Sequence, residues 1–157
     1  MQLTTAIQDR AEPTGHDLER GGAAADDYAA FEALRCAYLA FGGLARGDDL
    51  ARLLEERACG DFVSLARLIV SGRIFGFERQ HIFWIPIFQF ELDDLSVRQG
   101  MKPVLDELAS TFGGWRLAVW FVEPNDWLKQ SRPIDLIAIH PDEVAQAARA
   151  DRFVATG

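Results

Sequence analysis

The stretch Asp48-Asp49-Leu50-Ala51-Arg52-Leu53-Leu54-Glu55-Glu56-Arg57, with Cys59-Gly60-Asp61 and then Phe62-Val63-Ser64-Leu65-Ala66-Arg67-Leu68-Ile69-Val70-Ser71-Gly72, decides the fold. Leu50, Leu53 and Leu54 make an apolar stripe on a helix from about Asp48 to Arg57. Asp48 or Asp49 is its N-cap, because a short acidic side chain accepts from the first free N–H groups. Cys59-Gly60-Asp61 reads as a turn. A second helix runs from Phe62 to Ser71, with Phe62, Leu65, Leu68 and Ile69 inward and Gly72 as its C-cap. Past Gly72-Arg73 the pattern becomes strand-like. Ile74, Phe75 and Phe77 lead to the polar stretch Glu78-Arg79-Gln80-His81, and Ile82-Phe83-Trp84-Ile85 runs on to Phe88-Gln89-Phe90. Two aromatic and β-branched runs around a polar tip predict a β-hairpin. Pro86 breaks the second run or leaves it on an edge.

Working outward, Tyr28, Phe31, Leu34, Tyr38 and Phe41 recur at three- and four-residue steps, which predicts a helix over 23–41 closed by Gly42-Gly43. Residues 1–22 carry Pro13, Gly15, Gly21 and Gly22 among charges and are expected to be a disordered arm holding His16. Downstream, Pro103, Val104, Leu105, Leu108 and Phe112 fit a helix that ends at Gly113-Gly114. Trp115 to Glu123 is a short apolar segment closed by Pro124. Pro133 to Ile139 is a brief helix with proline in its first turn, and Pro141 to Phe153 is the last helix, with Val144, Ala147 and Ala148 apolar. The fold class expected is mainly α, of α+β type. A winged helix-turn-helix-like half with a β-hairpin (23–92) precedes a small helical domain (93–157).

Bulk properties narrow the function. Hydrophobic residues make up 49% of the chain, including eleven Phe and four Trp, so a substantial core is within reach. No run approaches the ~20 apolar residues that cross a membrane, and the start lacks the apolar stretch of a secretory leader. Cys36 and Cys59 show no CxxC spacing and are expected to be buried reduced thiols, which points to a cytoplasmic address. A net charge of −8 argues against a passive nucleic-acid coat and suits a partner with a basic, phosphate- or NAD-handling cleft.

The order helix, turn, helix, Gly-Arg, hairpin resembles the winged helix-turn-helix of excisionase and MerR-type DNA binders. That resemblance implies a second helix in the major groove and a wing on the backbone. Ser64, Arg67, Arg73 and Arg79 are then the candidate DNA contacts, Ser64 and Arg67 opposite the leucine stripe and Arg73 and Arg79 flanking the wing. Between Arg46 and Arg79, however, six arginines face six acids. The segment therefore equally suits a scaffold that has kept the shape without the DNA.

The second constellation begins with Trp115-Arg116-Leu117-Ala118-Val119-Trp120-Phe121-Val122-Glu123-Pro124-Asn125-Asp126-Trp127-Leu128. It continues through Ser131-Arg132-Pro133-Ile134-Asp135-Leu136 to Pro141-Asp142-Glu143-Val144 and Ala147-Ala148-Arg149. A tryptophan, an apolar helix with a second Trp, Pro-Asn, Leu, Arg-Pro, Asp-Leu and a Val/Ala helix together resemble the toxin-binding domain of Xre/MbcA/ParS antitoxins. The resemblance covers roughly residues 72–153. A Gly often follows the Leu of that family's loop, where this chain has Lys129-Gln130, so a differently shaped loop is one expectation. The resemblance implies an antitoxin that binds and blocks a RES-domain, NAD-consuming toxin and represses its own operon through operator DNA.

The residues themselves place Trp115 and Trp120 in the core and make Trp127, after two polar loop residues, an interface anchor. Arg149, Arg152 and Phe153, at the end of the last helix, are the other candidate partner contacts; for the arginines the alternative is a favourable interaction with the helix C-terminus. His16, His81 and His140 lie far apart without metal-ligand spacing, and no GxSxG, HExxH or phosphate-loop pattern occurs. No catalytic residue, metal ligand or cofactor is therefore assigned. A homodimer is expected, with no membrane partner. Two other functions compete: a stand-alone winged-helix transcription regulator, and a dimeric adaptor or structural protein that pairs through aromatic residues.

Overall fold

In a computed structural model of the chain, residues 15–157 are described, with side chains from Gly22 onward. The chain divides into a unit that ends at Ala33 and a second unit from Leu34 to Gly157. The described part of the first unit is helix, the greater part of α1 (Gly15–Tyr38). Residues 1–14 of the expected arm lie outside the described residues. From Gly15 the backbone is helical, since Ala23-Ala24-Ala25 has the best helix propensity and a helix once nucleated propagates cheaply.

The second unit opens with the last turn of α1 and a 3-10 turn over Leu39–Phe41. Then come β1 (Leu44–Arg46), α2 (Gly47–Glu56), α3 (Phe62–Val70), β2 (Phe77–Arg79) and β3 (Ile82–Pro86). Helix, strand, helix, helix, hairpin is a winged helix-turn-helix-like order. The three strands form one antiparallel sheet in the order β1-β3-β2. Phe77 opposes Trp84 on one side of β3, and Leu44 opposes Pro86 on the other. The hairpin tip is the pair Gln80-His81, both with positive φ (51° and 61°), the geometry whose twist matches antiparallel strands. Pro86 ends β3, as one of the two readings had it. The other reading fails: β3 is the central strand, because β1, too short to leave a periodic signal, covers its second side.

Leu50, Ala51 and Leu54 of α2, Leu65 of α3 and Ile74, Ile85, Phe90 and Leu95 bury one another in a single cluster. Beside it lies an aromatic layer. Phe121 stacks on Phe75 at 5.6 Å and meets Phe88 at 4.8 Å, and Phe88 meets Tyr38 at 5.8 Å. The Tyr38 hydroxyl donates to the Ala118 carbonyl at 2.6 Å, and burial pushes its pKa well above the usual phenol range. Gln89 is fully buried. Its Oε1 accepts from the Phe75 N–H at 2.8 Å, and its Nε2 donates to the carbonyls of Phe75 (2.8 Å) and Pro86 (3.0 Å). A side chain thus takes the place of a neighbouring strand for Phe75.

The remaining helices are α4 (Met101–Leu108), α5 (Gly114–Val122), α6 (Pro133–Leu136) and α7 (Pro141–Thr156). α5 starts on a glycine because a Cβ at Gly114 would lie 2.0 Å from the Gly76 carbonyl oxygen, so helix and hairpin approach backbone to backbone. α4 packs along α7. No described helix is long and apolar enough to cross a membrane.

Four sequence expectations are corrected. The arm expected to be disordered over 1–22 is helical from Gly15, and neither Asp48 nor Asp49 caps α2, which begins at Gly47 after Arg46 and holds both acids inside its first turn. Phe62, expected inward, points outward, because α3 is apolar nearly all round and only its Leu65 side meets the α2 leucines. Cys36 and Cys59, expected buried, are both exposed.

Candidate functional site

The chain leaving α5 turns at Pro124-Asn125 because proline cannot continue a helix. Asn125 caps a 3-10 turn over Asp126–Leu128, its Oδ1 accepting the Trp127 N–H at 2.9 Å. Its own N–H donates to the Ser131 carbonyl and its carbonyl accepts from Gln130, which closes the loop. Lys129 and Gln130 both hold positive φ (55° and 67°). The loop thus takes a backbone conformation that glycine adopts most easily, with two residues that adopt it at a cost.

Three donors from this region converge on Asp151 of α7. Trp120 Nε1 donates to Oδ2 at 2.7 Å, Asn125 Nδ2 to the same oxygen at 2.7 Å, and Trp127 Nε1 to Oδ1 at 2.9 Å. A carboxylate accepts about four hydrogen bonds, so these three nearly fill it. The cluster fixes the Trp127 ring while 59% of the residue stays exposed. A cleft of about 400 Å³ opens between Trp120, Trp127, Asp151 and Arg116, whose guanidinium lies 4.2 Å from the Phe112 ring centre.

Two residues further along α7, Phe153 is 76% exposed and Val154 lies beside it. Trp127, Gln146, Arg149, Ala150, Phe153 and Val154 line a shallow groove of about 380 Å³. Three of the four predicted partner-binding residues, Trp127, Arg149 and Phe153, are thereby brought to one place. The arginines have a structural role as well. Arg149 Nε lies 2.9 Å from Glu107 Oε1, and Arg152 Nη1 lies 2.9 Å from Glu107 Oε2. Both arginines thus clamp α7 to α4. Asp151 escapes a sequence reading. An acid one residue before an arginine late in a helix looks like a solvated face, and its three donors lie 24 to 31 residues away.

The predicted DNA contacts are spread over α3, its exit and the hairpin. Ser64 is half-buried and tied into the helix start, its N–H and Oγ each donating to Asp61 Oδ1 at 2.7 Å. Those bonds hold the Asp61 carboxyl below its ordinary pKa. Arg67 is exposed on α3, Arg73 is exposed just beyond it, and Arg79 ends β2, half-buried. The exposed side of α3 carries Phe62, Val63 and Val70 beside Arg67. Among the described residues, no group of three His, Cys, Asp or Glu could hold a metal ion.

Fold and site define a mainly helical α+β protein with a small three-stranded antiparallel sheet and an exposed face formed by Trp127 of the 3-10 turn and Phe153 of the last helix. No protein-family model, no curated protein and no solved structure matches the chain.

Proposed function

We propose that this chain is a non-catalytic, antitoxin-like protein that binds and blocks a RES-domain, NAD-consuming toxin through the Trp127–Phe153 face. The observation that carries the reading is this face itself. Trp127, whose indole N–H donates to an Asp151 carboxylate that Trp120 and Asn125 also hold, stands beside an exposed phenylalanine, a valine and an arginine around one groove. Interface energy concentrates in rigid aromatic and arginine anchors of this kind. Rigidity matters, because a side chain already held in place loses little entropy on binding. The ordered resemblance from Trp115 to Phe153 supplies the partner class, and the acidic body suits a basic nucleotide-handling cleft. The end of α7 would occlude that cleft sterically.

The outer side of α3 does not favour operator binding. A helix that reads the major groove needs several polar donors and acceptors on its exposed side, and α3 presents Phe62, Val63 and Val70 there with Arg67 among them.

The test is co-expression of the tagged chain with a RES-domain protein encoded beside it, read by co-purification and by growth rescue. The full chain is expected to bind and rescue. Phe153→Ala and Trp127→Ala are each expected to weaken binding by about 30-fold or more, the factor that corresponds to a hot-spot loss of ~2 kcal/mol. If the full chain neither binds nor rescues, the antitoxin reading fails.

A further inference from the structure

A second apolar surface lies in the winged-helix half, on the outer side of α3. Phe62, Ala66 and Val70 follow one another at four-residue steps and form a single ridge, with Val63 beside it. Between this ridge and Phe83 of β3 runs a trough of about 320 Å³, floored by Leu65, Ile69 and Ile85. Asp48 is the one charged residue lining it. The ridge has large side chains at its ends and an alanine at its middle, so a second helix can approach closely at Ala66.

We infer that this face is the homodimer interface, where α3 and the α3–β3 trough of one copy meet those of another. Three features select a second copy as the occupant. Area is the first. Phe62 is 61%, Val63 52%, Val70 88% and Phe83 36% exposed, which leaves on the order of 400 Å² of apolar surface on side chains of this size. A standard interface buries about 800 Å² per partner, and about 65% of a homodimer interface is apolar, so these four residues supply most of that share. Polarity is the second. Interfaces between transient partners are only as apolar as the rest of a protein surface, whereas this trough is lined by a single charged residue, Asp48, with Arg67 the exposed charge beside the ridge. Shape is the third. A ridge beside a trough is self-complementary, as a two-fold contact requires, with each copy providing both parts.

The inference does not rest on the toxin reading, since the two faces lie on different elements. Its test is the mass of the full chain in solution over a concentration series, by light scattering and sedimentation. The wild type is expected to be a dimer. Val70→Asp places a carboxylate in the apolar contact twice per dimer and is expected to raise the dissociation constant by roughly 100-fold or more. Val70 is the most exposed of the four, so circular dichroism of the variant should match the wild type. Phe153→Asp, on the other face, should leave the dimer intact. In a Cys36→Ser/Cys59→Ser background, Ala66→Cys should form an intermolecular disulfide under mild oxidation. A monomeric wild type overturns the inference. So does a dimer that survives both Val70→Asp and Phe62→Asp, or one lost through Phe153→Asp alone.

Discussion

Gln89→Leu is the substitution whose cost the structure specifies most closely. Leucine is similar in size to glutamine, so no cavity of consequence opens, and the effect isolates hydrogen bonding. The native amide satisfies the N–H and carbonyl of Phe75 and the carbonyl of Pro86 in a fully buried setting. Leucine leaves all three without it. A buried donor or acceptor stripped of its partner costs about 1–3 kcal/mol, with the N–H the most demanding because a carbonyl tolerates under-satisfaction better. Favourable transfer of the leucine offsets on the order of 1 kcal/mol. The net loss expected is about 4 kcal/mol, a large part of the 5–15 kcal/mol that holds a typical domain folded. For a chain of this size the melting temperature should fall by roughly 8–16 °C. Urea unfolding followed by tryptophan fluorescence and by circular dichroism measures it, with an unchanged denaturant slope as evidence that the native state is otherwise intact. Amide exchange at Phe75 should accelerate in step. A loss below about 1 kcal/mol, or a more stable variant, would show that Gln89 does not stand in for a strand, and the argument would be refuted.

Lys129→Gly should stabilise the protein by about 0.5–1 kcal/mol, because the left-handed conformation costs an L-residue more than glycine loses in unfolded-chain entropy. Lys129→Val should destabilise it, and paired thermal melts check the opposite signs. Asp151→Ala removes the acceptor shared by Trp120, Asn125 and Trp127 and should cost about 1.5–3 kcal/mol, limited because water can reach the Trp127 side. The indole N–H proton resonances of Trp120 and Trp127 should shift and exchange faster, while those of Trp84 and Trp115 stay in place.

The helices and the hairpin are legible in the sequence because their signals are local. Leu50, Leu53 and Leu54 mark α2 by spacing alone. Cys59-Gly60-Asp61 marks the turn before α3, Pro133 and Pro141 start α6 and α7, and Gly113-Gly114 marks the break between α4 and α5. Trp127 stands out as an exposed anchor for the same reason, a tryptophan after two polar residues in a turn. What the tertiary structure alone decided depends on distant partners or on a choice between equivalent faces. β1 is three residues long and exists because β3 has an open edge for it. α3 is apolar on most of its circumference, so its spacing puts Phe62 inward together with Leu65, whereas only packing leaves Leu65 in and turns Phe62 and Val70 out. Gln89 and Asp151 look like ordinary polar residues until packing brings Phe75, Trp120, Asn125 and Trp127 to them. Glu107 collects Arg149 and Arg152 from more than forty positions away. Periodicity and capping act within a few residues of chain, whereas the hydrogen bonds and ion pairs that build these sites form only after the helices have closed on one another.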